Sequence, residues 1–207
     1  MKIGILGYGS VGKRLAELCT QAGHIVTIGL REPSAITSDL PYVKKSIQEV
    51  VLESNILLVA IPFTAAVETL RPFADKLMGT VIVDCTNPLQ ADWSPLFLGQ
   101  ENSAGEEIQK ALPQSKVVKA FNTIFADVMS TAAQQYFSQP ITAFIAGNDT
   151  AAKQQVIDLA KAIGFAPVDA GDITSSRYLE AMAHLNIKIA VGLGGGTNAA
   201  FIYHQKH

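Results

Sequence analysis

Six residues near the N-terminus, Gly7-Tyr8-Gly9-Ser10-Val11-Gly12, restrict the fold of this chain more than any other stretch. They follow the apolar run Lys2–Leu6, which reads as a strand. They open a segment in which Val11, Leu15, Leu18, Cys19 and Ala22 recur at helical spacing, with Gly23 as its C-terminal stop. A strand, a GxGxxG turn and a helix in direct succession begin a dinucleotide-binding unit. The first glycine permits the tight turn, the second lets the backbone approach a pyrophosphate, and the third brings helix and sheet together. The helix start at Ser10 and Val11 offers free N–H groups and the positive end of a dipole. The plain alternative is a glycine-rich turn that holds no ligand.

The rest of the chain continues the alternation. Strands are predicted at Ile25–Gly29, Pro41–Lys45, Asn55–Ile61, Thr80–Asp84, Lys116–Ala120, Ile141–Ala146 and Phe165–Asp169. Between them lie a short helix over Ser46–Leu52, one marked by Ala66, Val67, Leu70, Phe73 and Leu77, and one opened by a Ser103/Glu106 capping box and running through Leu112. A further helix is capped by Asp149 and ended by Gly164. The final helix, about 174–193, carries Tyr178, Met182, Leu185 and Ile189 down one side. Gln90–Asn102 is the one long irregular stretch and holds the only tryptophan, Trp93. This order predicts an α/β fold: a Rossmann-type, doubly wound, mainly parallel sheet with helices on both faces and a C-terminal helix. No repeat or linker divides it, so one nucleotide-binding domain over 1–207 is expected.

Composition excludes several functions. Sixteen basic and 18 acidic side chains leave a net charge of −2, and no basic run exceeds Lys44-Lys45, which argues against nucleic acid. No apolar segment reaches the roughly 18 residues of a membrane span. Two cysteines, Cys19 and Cys85, make no disulfide scaffold and fit a reducing cytoplasm. Cys85 reads as a small buried hydrophobe.

The second strand ends near Leu30-Arg31-Glu32. Glu32 fits the NAD spacing by count, at 20 residues beyond Gly12, but Gly23 ends the helix early and places Arg31 nearer the ribose. A guanidinium suits the 2′-phosphate of NADP. Ile61-Pro62-Phe63, Cys85-Thr86-Asn87-Pro88 and Asn122-Thr123 are strand exits, where open parallel sheets bind ligands. Asn87 and Asn122 are candidates for a carboxamide or ribose hydroxyl, or simply for closing their turns. No Ser/His/Asp set, metal cluster or catalytic lysine motif is present. His24 fits a helix end, His204 and His207 lie in the tail, and His184 shares a stripe with Arg177, Glu180 and Lys188 that reads as a solvated or subunit-facing edge.

These residues resemble a family. GYGSVG, Ala22-Gly23-His24 and Gly29-Leu30-Arg31 are similar to the NADPH-dependent reductases of the deazaflavin coenzyme F420. So are Asp84-Cys85-Thr86-Asn87-Pro88, the stretch from Val117 to Thr123, Asp169-Ala170-Gly171 and Arg177-Tyr178-Leu179-Glu180. The pattern also resembles the reductase domain of the STEAP metalloreductases. The resemblance implies that Gly7, Tyr8, Gly9, Ser10, Val11 and Gly12 surround the pyrophosphate and that Leu30 and Arg31 meet the 2′-phosphate. It implies that Ile61, Pro62 and Phe63 line the inner ribose and adenine side. Asn87, with Pro88 beside it, Ala120 and Asn122 would approach the nicotinamide half. Two positions depart from it: Leu30 stands where relatives often have a small hydroxyl or amide, and Asp172 where they commonly have proline.

The resulting expectation is an NADP(H)-dependent oxidoreductase passing hydride to a flavin or deazaflavin acceptor, with no protein acid or base. The acceptor pocket is expected from the segment after Thr123 and the loop Asp172–Arg177. The C-terminal helix is expected to pack on the body or on a second copy in a homodimer. An imine or ketone reductase related to pyrroline-5-carboxylate reductase and a non-enzymatic NADP(H) sensor are the competing readings.

Overall fold

The computed structural model describes residues 1–35, 41–135 and 137–205, so His207 lies outside the described residues. Eight strands form one sheet in the order β3-β2-β1-β4-β5-β6-β7-β8. They are β1 (Lys2–Leu6), β2 (Ile25–Leu30), β3 (Val43–Ser46), β4 (Ile56–Val59), β5 (Val81–Asp84), β6 (Lys116–Lys119), β7 (Thr142–Gly147) and β8 (Ala166–Asp169). All neighbours run parallel except β6 and β7, which are antiparallel. This is the doubly wound Rossmann order with two strands added beyond β6.

Alternate side chains of the central strands feed two cores. Ile56, Leu58, Val83 and Val118 face one layer of helices, formed by α1 (Ser10–Gln21) and α6 (Thr150–Ala162). Leu57, Val59, Ile82 and Val117 face the other, formed by α2 (Ile47–Glu53), α3 (Phe63–Leu70) and α4 (Ala104–Ala111). Every side chain of β4 is fully buried, as a strand covered on both faces requires. Each such residue contributes about 1.5–3 kcal/mol.

Caps differ from expectation in an instructive way. Asp149 caps α6 as predicted, accepting from Ala152 N–H. Ser103 caps α4, but the reciprocal half of its box is not formed: the Glu106 carboxylate goes to Arg177 and to the Ser103 hydroxyl. The complete capping box stands at Ser46 and Glu49, ahead of α2. The final helix, α7 (Ser176–Ile187), follows the short α5 (Thr131–Gln134) and continues into a π-helical turn at Lys188–Gly192. Its apolar stripe faces outward: Tyr178, Leu185 and Ile189 are exposed, while Leu179, Glu180, Ala183 and Asn186 face inward.

Candidate functional site

The three motif glycines have separate duties. Gly7 takes φ +95°, and a Cβ there would lie 2.6 Å from the Ala60 carbonyl oxygen. A Cβ on Gly12 would collide with the Gly7 carbonyl oxygen. A Cβ on Gly9 would meet nothing within 4 Å, so the backbone of this residue faces open space. Two glycines are thus required by packing and the third leaves a cradle, which fits a close-lying pyrophosphate. Gly9 is also the N-cap of α1; it has no side chain to cap the helix, and no acidic residue occupies the first turn. The N-terminus of α3, at Pro62, likewise lacks a side-chain cap. Both helix starts open on the same cavity, so N–H groups and positive dipole ends converge there.

That cavity, of about 780 Å³, lies at the carboxyl ends of the central strands. Gly9, Ser10, Val11, Ile61, Pro62, Phe63, Asn87 and Asn122 all line it, from four separate strand exits. Gly7 and Gly12 sit beneath it. Pro88 and Ala120 are buried behind its wall. Tyr8, Leu30 and Arg31 lie outside the wall, at the β2 end of the sheet, where Arg31 is exposed. The Tyr8 ring there packs edge-on against Tyr42, 6.1 Å between centroids, and Lys13 Nζ stands 5.4 Å from its centroid.

The remaining wall corrects one expectation. Ile124, Phe125 and Ala126 line the cavity, as expected of the segment after Thr123, but the loop Asp172–Arg177 does not. That loop is drawn onto α4, where Arg177 makes a two-pronged pair with Glu106 and Ser176 packs against Gly105. Its place is taken by Ala183, Asn186 and Ile187 of α7 and by Leu89, Gln90, Ala91 and Trp93 of the irregular stretch. Trp93 is half exposed at φ +68°, an uncommon backbone for an aromatic residue.

Asn87 and Asn122 bond each other rather than capping separate turns. Asn87 Nδ2 donates to the Asn122 carbonyl at 2.8 Å, and Asn122 Nδ2 donates to Asn87 Oδ1 at 2.9 Å and to the Leu179 carbonyl at 3.0 Å. Phe121, just before Asn122, is fully buried at φ +64°. A left-handed backbone costs a bulky residue about 1–2 kcal/mol, and such strain concentrates at functional sites. Asn122 Oδ1 and Thr86 Oγ1 are buried without a protein partner, and both residues line the cavity.

Sequence reasoning missed what lies behind this wall. Lys119 is fully buried, with Nζ 2.8 Å from Asp84 Oδ2 and 2.8 Å from Glu180 Oε1. Asp84 and Lys119 are register partners on parallel strands, so their side chains leave the sheet on one face. Burial pulls the Lys119 ammonium down, but Asp84 and Glu180 outweigh it and hold it above the ordinary lysine value. Glu180 therefore does not belong to a solvated stripe. Its neighbour His184 is half-buried, with Nε2 3.2 Å from the Pro88 carbonyl. Burial, the dominant cause, holds that imidazole below its usual pKa, so it is neutral at pH 7 and donates to Pro88. The signal for the triad was present: Lys119 is a lone charge in the apolar run Val117-Val118-Lys119-Ala120.

No side chain in the cavity wall is Asp, Glu, His, Lys or Arg. Cys85 is there, its thiol kept protonated chiefly by burial. Among the described residues there is no cluster that could hold a metal ion, and no helix is long and apolar enough to cross a membrane.

A family model described as NADP oxidoreductase, coenzyme F420-dependent, matches residues 2–88. A crystal structure from Arthrobacter sp. FB24, named for an F420-dependent NADP reductase, superimposes with TM-score 0.88 and 31% identity, over 99% of this chain and 100% of that one. The chain belongs to this F420-dependent NADP oxidoreductase family. It is also 28% identical over 146 residues to the F420-dependent NADP reductase of Methanocaldococcus jannaschii, covering 67% of this chain and 63% of that protein. Metalloreductase STEAP3 of Rattus norvegicus is 31% identical over 183 residues, 87% of this chain. The chain spans about a third of the length of that metalloreductase, 36%. As a member of the family, the protein is an NADP-dependent oxidoreductase with a Rossmann-type fold.

Proposed function

We propose that NADP(H) lies across the carboxyl edge of the sheet and that hydride passes from it to a flavin or deazaflavin ring in the cavity. The observation that carries this reading is a wall formed at four strand exits, open at Gly9 and free of charged side chains. The Gly9–Val11 turn and the α3 start would hold the pyrophosphate through N–H groups, and Arg31 would pair with the 2′-phosphate outside the cavity. Asn87 and Asn122 would face the nicotinamide half. The bound nicotinamide supplies a hydride at its ring. A tricyclic acceptor exchanges its remaining proton with solvent, so a wall without a titrating acid suffices. Reduction of an imine or ketone requires a proton at the heteroatom in the same event, for which this wall offers no donor.

The eight strands of one sheet support reading the chain as one nucleotide-binding domain. The exposed stripe of Tyr178, Leu185 and Ile189 supports a homodimer formed along α7. Two buried free cysteines support a reducing, cytoplasmic setting.

The test is NADPH oxidation, followed by nicotinamide absorbance, against deazaflavin, flavins, imines and ferric chelates. Turnover with a deazaflavin or flavin is expected. Turnover with imines alone would overturn the acceptor class, and tight NADPH binding without turnover would favour the sensor.

A further inference from the structure

Replacing a buried ion triad by hydrocarbon of similar volume is often neutral or stabilising, so stability does not explain why ions occupy this place. What ions give is direction. Lys119 Nζ donates to the Thr86 carbonyl at 2.6 Å, and the Thr86 N–H donates to Asp84 Oδ1 at 2.8 Å. The backbone of one cavity-lining residue is thus gripped at both its N–H and its carbonyl by two ions that grip each other. Glu180 accepts from Ala104 N–H at 3.0 Å and Gly105 N–H at 3.2 Å, fixing α7 to the start of α4. The adjacent Leu179 carbonyl receives Asn122 Nδ2. Two layers therefore join the same three elements. The deep one is Asp84, Lys119 and Glu180; the one at the cavity is Asn87, Asn122 and the Leu179 carbonyl.

We infer that the Asp84–Lys119–Glu180 triad is a positioning device that fixes the β5 exit, the β6 exit and α7 against one another, holding Thr86 and Asn122 in register for the nicotinamide half of the cofactor. Its three members touch no ligand and are positioning residues, not catalytic ones. The inference rests on the reading that NADP(H) occupies the cavity. It predicts a divided effect: the adenosine half, held at the opposite end of the sheet by the first turn and Arg31, does not depend on the triad.

The experiment replaces the ions by neutral groups of similar size, Asp84→Asn with Lys119→Met and Glu180→Gln, and measures binding of NADPH and of 2′,5′-ADP by calorimetry beside single-turnover hydride transfer. Glu180→Gln alone keeps a one-to-one Lys119–Asp84 pair and an oxygen for the Ala104 N–H, and guards against loss of folding in the triple variant. Unchanged 2′,5′-ADP affinity, NADPH affinity about tenfold weaker and transfer roughly a hundredfold slower are expected for the triple variant, with a smaller change of the same pattern for Glu180→Gln. Equal losses for both ligands would overturn the positioning role, as would wild-type behaviour with NADPH. Failure of the wild-type protein to bind NADPH would instead overturn the proposed function, and the two failures are told apart in the same titrations.

Discussion

The first turn and the wall at the β5 and β6 exits both sit at carboxyl ends of strands, yet opposite means build them. The turn is made by omission: Gly7 and Gly12 lack a Cβ where one would collide with backbone, and Gly9 lacks one where a ligand would lie. The wall is made by addition: three fully or nearly buried charges and two interlocked amides occupy space that hydrocarbon fills elsewhere in this sheet. A glycine turn admits any ligand that likes N–H groups. A wall of directed hydrogen bonds holds one geometry, which is the need where two rings must exchange a hydride.

The contrast can be broken most forcefully at Lys119. Lys119→Met leaves Asp84 and Glu180 facing each other in the core and should cost about 3–5 kcal/mol, read from denaturant unfolding. A surface-like cost below about 0.5 kcal/mol would mean that the wall is not held by its ions.

Next come the glycines, which should separate stability from binding. Gly7→Ala forces a Cβ onto backbone at positive φ and should destabilise by about 1–3 kcal/mol. Gly9→Ala should leave unfolding within about 0.5 kcal/mol of wild type while weakening NADPH, because only a ligand meets the new methyl. Equal effects of the two substitutions would remove the distinction between a packing glycine and a cradle glycine.

Arg31→Ala tests the far end of the turn. It should lower the preference for NADPH over NADH about tenfold or more, with stability unchanged, in keeping with the roughly 1.5–3 kcal/mol of a hydrogen bond to a charged group. An unchanged preference places the 2′-phosphate elsewhere.

The smallest effect is in alkali. The folded value of Lys119 lies above the ordinary 10.5, so its contribution is intact below that pH and lost as pH rises through the folded value. Thermal melts should fall more steeply above about pH 10.5 in the wild type than in the neutral triple variant.

How far the sequence reaches differs between the two regions for a physical reason. The turn is local. Strand β1 falls on the residues that periodicity assigns, Lys2–Leu6, and the duties of all three glycines follow from their order. The ends of β2, β5 and β6 move by only a residue or so. The wall is not local. Asp84 and Lys119 are 35 residues apart and meet through strand register, and Glu180 lies 61 beyond Lys119. Helical period puts Glu180 on a stripe with His184, but period does not say which face of α7 docks, and apolar Tyr178, Leu185 and Ile189 face outward. The loop Asp172–Arg177 was misplaced for a similar reason, since its partner Glu106 already looked committed to the Ser103 cap.

The most direct measurement is the fate of label from the nicotinamide C4 in a single turnover with a deazaflavin, whose C5 retains a transferred deuterium. The account predicts that deuterium from NADPD is recovered on the reduced acceptor ring, with a primary isotope effect. Deuterium released to solvent, or NADPH left unoxidised by every flavin and deazaflavin offered, would contradict it.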